Sequence, residues 1–188
     1  MTKSIIAIVV AGLVLFVWGF IYWGISPLPY QTLNQTSNDR VAQSALRQHF
    51  PDSGTYLVPG TDNSPESLEA LFGAGPIAVL HIRHGSFSPV DPVTMIGGII
   101  LDLAFAAILL LLLRAASVRT LMDFVRFSAI GGATAVLLID VGDIVWWREP
   151  IAWNSWQMVY NFSAFMLTGI ILGLFLKTPP SDAIIDPT

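Results

Sequence analysis

Two carboxylates, Asp140 and Asp143, sit inside the apolar run LIDVGDIVW, and a third, Asp102, interrupts the run GGIILDLAFAAILLLLL. Near the middle of a bilayer a carboxylate costs roughly 2.5–3.5 kcal/mol on insertion scales, so each is a functional candidate by default. A third apolar run adds amides and a hydroxyl: Asn154, Gln157, Asn161 and Thr168 step by three, four and seven residues, which puts them on one helical face. At 1.5 Å per residue Asp102 lies roughly 14 Å from the start of its run and Asp140 roughly 10 Å from the end of its own, with Asn161 at a similar level. Asp143 is about one turn shallower.

No Lys, Arg or His shares the depth of Asp102 or Asp140 in any run. Three resolutions follow: the acids are protonated, they share a proton or a bound cation, or a partner subunit supplies the charge. Asp143 differs, since Arg148 and Arg83 are candidates to reach it from the interface. The plainest alternative is neutral acids acting as interhelical hydrogen-bond glue with Asn161 and Gln157, at an average of about 0.6 kcal/mol per bond.

The elements that must carry these groups are apolar helices. The 188 residues are 54% hydrophobic and only 12% charged, with a mean hydropathy of +0.66; soluble domains carry about 25% charged residues. Ile5 to Ile25 is long enough to span a bilayer, and lacks the small-x-small cleavage site of a signal peptide, so it reads as a retained anchor. Val93–Leu113, Phe127–Trp147 and Trp156–Leu176 are the next three spans. The segment 27–92 is different in kind, polar and rich in turn residues. Caps at 36–39 precede a helix running up to Pro51, and 54–59 reads as a strand. Ser64-Pro65-Glu66 opens a helix that stops at Gly73, and 77–84 reads as a second strand. The expected architecture is therefore a mostly α membrane protein: a four-transmembrane-helix bundle with a small α+β extramembrane domain inserted between helices 1 and 2. Its divisions are 1–26, 27–92, 93–177 and a polar tail, 178–188. A domain of about 66 residues has a marginal core of its own, so it is expected to lean on the bundle or on a partner.

Positive charge sets the orientation. Lys3, Arg114, Arg119, Arg126 and Lys177 flank the spans in short segments on one side, whereas Arg40, Arg47, Arg83 and Arg148 fall on the other. Both termini are thus expected in the cytoplasm and 27–92 in the periplasm, in a bacterial inner membrane. All six tryptophans, Trp18, Trp23, Trp146, Trp147, Trp153 and Trp156, then lie at the outer face. They read either as an anchoring belt or as a flat aromatic surface that receives a lipid, quinone or pigment.

Small residues mark packing faces. Gly98, Asp102 and Ala106 form an i, i+4 row that turns Asp102 toward another helix, and Gly169 with Gly173 makes a second such face, for the bundle or for an external partner. The histidines do not compose a metal site: His81 and His84 point to opposite faces of a strand, with His49 the remaining candidate. With a net charge of −4 and no basic stripe the chain has no nucleic-acid footprint, and without cysteine it has no thiolate chemistry. No nucleophile elbow, phosphate loop or zinc motif is present. The reading that follows is non-enzymatic, with no cofactor and no metal: an accessory or assembly subunit of a larger inner-membrane complex, surrounded by membrane lipid and packed against other subunits or its own copies. The alternatives are a proton- or cation-coupled carrier or channel, acting as a homo-oligomer through Asp102 and Asp140, and a lipid-, quinone- or pigment-binding protein.

Overall fold

The computed structural model describes residues 2–88 and 90–178, and the tail beyond Thr178 lies outside the described residues. Among the described residues the chain is mostly helical (70%), with four helices long and apolar enough to cross a membrane and one two-stranded sheet. It falls into two compact units, one holding the chain up to Leu33 and again from Val90, the other the segment between them.

In the larger unit, α1 (Thr2–Gly19) is extended by a π-helical turn, Phe20–Ile25. A single 3₁₀ turn at Pro29–Thr32 follows, tied back by the Tyr30 hydroxyl donating to the Trp23 carbonyl at 2.6 Å. That tie keeps residues up to Leu33 with the helices, so the smaller unit is narrower than the polar segment 27–92.

The smaller unit contains α2 (Asp39–His49), β1 (Gly54–Val58), α3 (Pro65–Ala74) and β2 (Ala78–Ile82). Local chemistry fixes each start: the Asn38 side chain accepts from Val41 N–H and Ser64 from Ser67 N–H, satisfying donors a helix leaves open. The strands pair antiparallel from Gly54↔Ile82 to Val58↔Ala78. Phe50 packs edge-on against Tyr56. Among its described residues only Pro59 is buried.

The remaining helices belong to the larger unit: α4 (Pro92–Ala115), α5 (Leu121–Leu138), α6 (Asp140–Trp146) and α7 (Ile151–Leu176). Asp91 caps α4 through Val93 and Thr94 N–H, both at 3.2 Å. The helix ends on Ser117, left-handed at φ 55°, so that Val118 N–H folds back to the Leu113 carbonyl and Ser117 N–H to that of Arg114. A reciprocal capping box between Thr120 and Asp123 starts the third span at Leu121, six residues before the apolar run suggests. The fourth starts at Ile151 rather than Trp156, directly after Pro150. The third span is also broken: Ile139, at φ −92° and ψ −71°, separates α5 from α6.

α7 packs antiparallel against α1 on one side and α5–α6 on another, and α4 lies mainly along α1. Between lipid-bathed helices apolar burial supplies little net drive, so association rests on close fit and polar contacts. A Cβ at Gly12 would stand 3.0 Å from the Leu103 backbone, one at Gly98 3.4 Å from the Phe16 ring, and one at Gly173 2.7 Å from Leu121 and 2.9 Å from Phe124. At Gly169 it would overlap Ser128. Gly169 and Gly173 therefore seat α7 on α5. Toward the end that carries Lys3 and Lys177, Ala7, Ala11, Ala106, Leu109, Leu113, Phe124 and Leu172 close the core.

Candidate functional site

Asp140 opens α6 immediately after the break and is buried, with 2% of its surface exposed. Asn161 of α7 reaches it: its Nδ2 donates to Oδ1 at 2.9 Å and to Oδ2 at 3.0 Å. No Lys, Arg or His joins the pair among the described residues. The acid thus has one neutral amide as its whole protein environment of donors.

The other expected members lie around this pair without bonding to it. Asp102 is half-buried on α4 and makes no hydrogen bond or ion pair among the described residues. It interacts electrostatically with Tyr160, whose ring packs on Tyr22 and Trp23 of the α1 side. α7 therefore turns Tyr160 toward α1 and Asn161 toward α6, and Asp102 and Asp140 address different sides of it. Asp143 and Gln157 are half-buried and carry no side-chain hydrogen bond among the described residues. Arg148 forms no ion pair with Asp143 among the described residues. Arg148, left-handed at φ 56°, serves the turn into α7, where Trp147 and Glu149 N–H both donate to the Asp143 carbonyl. Arg83, in the smaller unit, stacks over Phe87 at 3.9 Å from the ring centroid.

Further polar groups continue along α7. Asn154, fully buried, donates from Nδ2 to Glu149 Oε2 at 2.8 Å, while its Oδ1 has no partner. Deeper in the bundle the hydroxyls of Ser128 and Thr168 are buried and unpartnered as well. Ser128 is a residue that pattern reading overlooks. No depth signal marked it, because the apolar run starts at Phe127 and the capping box carries the helix back to Leu121.

The tryptophans divide into two groups. Trp18, Trp23, Trp153 and Trp156 join Tyr22, Tyr30 and Tyr160 in a cluster whose rings meet at tilted or edge-on angles, with centroids 5.0–6.5 Å apart. Three bonds lock it: Trp18 Nε1 donates to Ser163 Oγ at 2.9 Å, the Tyr22 hydroxyl to the Trp156 carbonyl at 2.8 Å, and the Tyr30 hydroxyl to the Trp23 carbonyl. Tyr22 is buried among these rings, and the four tryptophans are half-buried. Trp146 and Trp147 stand apart, 80% and 60% exposed. Tyr30 is a member that sequence reasoning missed, and so are Tyr160 and Ser163. The latter two lie within two residues of Asn161, a stretch read only for its amide.

The histidines are dispersed in the smaller unit. His81 Nδ1 meets Thr55 Oγ1 at 3.0 Å across the strand pair, and His84 Nε2 meets the Phe50 carbonyl at 2.6 Å. No group of three metal-ligating side chains forms among the described residues. Compared with protein-family models, curated proteins and solved structures, the chain matches none.

Proposed function

We propose that this chain exchanges a proton, or a small monovalent cation, at Asp140, and acts in the membrane as a proton- or cation-coupled carrier or channel. The observation that carries this reading is the isolated Asp140–Asn161 pair: a buried carboxyl, both its oxygens bonded to one amide, and no Lys, Arg or His bonded to it among the described residues. An amide suits such a role because its two ends differ. Nδ2 donates to a charged carboxylate, and after a half-turn Oδ1 accepts from a protonated one. The pair can therefore serve both states without moving a helix. The orientation is taken from the basic flanks, with both termini cytoplasmic and residues 27–92 in the periplasm of a bacterial inner membrane.

A different observation favours a second reading, an accessory subunit of a larger membrane complex. Asp140 is too enclosed for a partner's side chain, but Asp102 is half-buried, without a bonding partner among the described residues, on a helix packed mainly on one neighbour. A partner arginine would supply its missing charge.

The test is reconstitution of the purified chain into vesicles, following an internal pH dye or a monovalent-cation reporter under an imposed gradient. The wild type should dissipate the gradient faster than empty vesicles, and Asp140→Asn should abolish this while inserting normally. A wild type no more permeable than empty vesicles would sink the carrier reading. Co-purification of larger chains in mild detergent, lost in Asp102→Asn, would establish the second reading.

A further inference from the structure

At the end of the bundle away from the tryptophans, α1 and α4 leave a groove of about 460 Å³ between them. Its floor is aliphatic, with Ile5 and Ile8 on one side and Ala107 and Leu111 on the other, and its rim is Ser4 and Arg114. The volume falls in the ~300–1,000 Å³ range of small-ligand sites. Arg114 donates one of its N–H groups to Ser4 Oγ, which fixes the guanidinium over the groove mouth. A guanidinium has five donors, and Arg114 forms no ion pair among the described residues.

The surroundings add positive charge. Arg114 and Ser4 bring the start of α1 to this end, and the Thr178 N–H donates to the Arg119 carbonyl, bringing the end of α7 beside it. Lys3, Arg114, Arg119, Arg126 and Lys177 therefore belong to one end of the bundle. Asp123, the acid among the described residues there, is engaged in its capping box with Thr120.

We propose that this groove holds one anionic phospholipid, with an acyl chain along Ile5, Ile8 and Leu111 and the headgroup phosphate on Arg114. Charge complementarity selects the occupant. A basic rim above an aliphatic floor matches a phosphate joined to a hydrocarbon chain, and basic pockets between spans on the cytoplasmic side are a recurrent way of holding anionic headgroups. The site is independent of the exchange proposed at Asp140.

Native mass spectrometry of the intact chain in mild detergent, titrated with phosphatidylglycerol or with phosphatidylcholine of the same acyl chains, tests it. One phosphatidylglycerol should be retained roughly five-fold more tightly than phosphatidylcholine, the effect of one basic residue at an anionic headgroup. Arg114→Ala should remove that preference, and Arg119→Ala should keep it. Leu111→Trp, which fills the groove without touching the charge, should weaken retention of both lipids. It also keeps the proposal testable if Arg114→Ala fails to insert. Equal retention of the two lipids by the wild type would overturn the proposal. So would an Arg119→Ala loss as large as that of Arg114→Ala, which would indicate a diffuse basic field. Unchanged retention in Leu111→Trp would likewise refute it by showing that no acyl chain occupies the groove.

Discussion

The amide of Asn161 is all that offsets the cost of burying Asp140, and this makes the two residues unequal under substitution. Removing the acid leaves a half-buried amide that can turn. Removing the amide leaves a buried carboxyl with nothing to bond. The size of the second effect reports what the acid is. A carboxylate left charged and unpaired costs about 3–5 kcal/mol, whereas loss of one neutral interhelical bond costs about 0.6 kcal/mol on average and at most about 1.7 kcal/mol. Asn161→Leu is therefore expected to destabilise the bundle more than Asp140→Leu does. Adding Asp140→Leu to Asn161→Leu should recover most of the loss, because both polar groups are then gone. Unfolding titrations of the four proteins in mixed detergent and SDS would measure the cycle. Strictly additive losses would mean that the two side chains do not act as a pair.

Between helices, the fit of small residues replaces the hydrophobic drive that a soluble core enjoys, so glycines at contacts and glycines facing outward should behave oppositely. A Cβ at Gly169 overlaps Ser128, and one at Gly12 meets the Leu103 backbone, which cannot swing away. At Gly97 and Gly142 a Cβ would meet nothing within 4 Å. Gly169→Ala and Gly12→Ala should each cost about 1–3 kcal/mol by overpacking. Gly97→Ala and Gly142→Ala should be neutral or gain up to about 1 kcal/mol from reduced chain entropy, all read in the same unfolding titration. Gly169 was legible as a packing residue because its i, i+4 partner Gly173 marks a face. Gly12 was not, since α1 is apolar on all sides and its Ala7–Ala11 row stands out only once α4 is seen against it. The four spans were legible from apolar length alone. Their starts at Leu121 and Ile151 were not, because the Thr120–Asp123 box and Pro150 lie outside the apolar runs. At the site, helical rise brought Asn161 to the level of Asp140. Rise gives depth but not azimuth, so it could not tell that Asp102 faces the Tyr160 side of α7 and leaves the pair alone.

At the scale of the whole molecule, the two compact units differ in what can hold them together. The larger has helix contacts seated on glycines and alanines, between α1 and α4 and between α5 and α7, an apolar core at one end and a bonded aromatic cluster at the other. The smaller, Asn34 to Pro89, has one strand pair of five residues a side and two capped helices. Its local signals are strong, with Asn38 and Ser64 at helix starts, Phe50 on Tyr56, and His84 bonded to the Phe50 carbonyl. Its burial is weak: Val41, Leu57, Leu71, Phe72, Ile77, Val79 and Phe87 are all exposed. Caps and turns contribute about 1 kcal/mol each, against about 1–2 kcal/mol of backbone entropy for every residue ordered, so local signals alone do not hold so small a unit. There is also no cysteine to crosslink it. Residues 27–92 expressed as a separate soluble fragment should therefore show partial helix and strand signal by circular dichroism. Ellipticity should decline gradually on heating, without a cooperative step. A sharp, reversible transition above about 65 °C, the upper end of the usual range for mesophilic domains, would show that this unit has a sufficient core of its own.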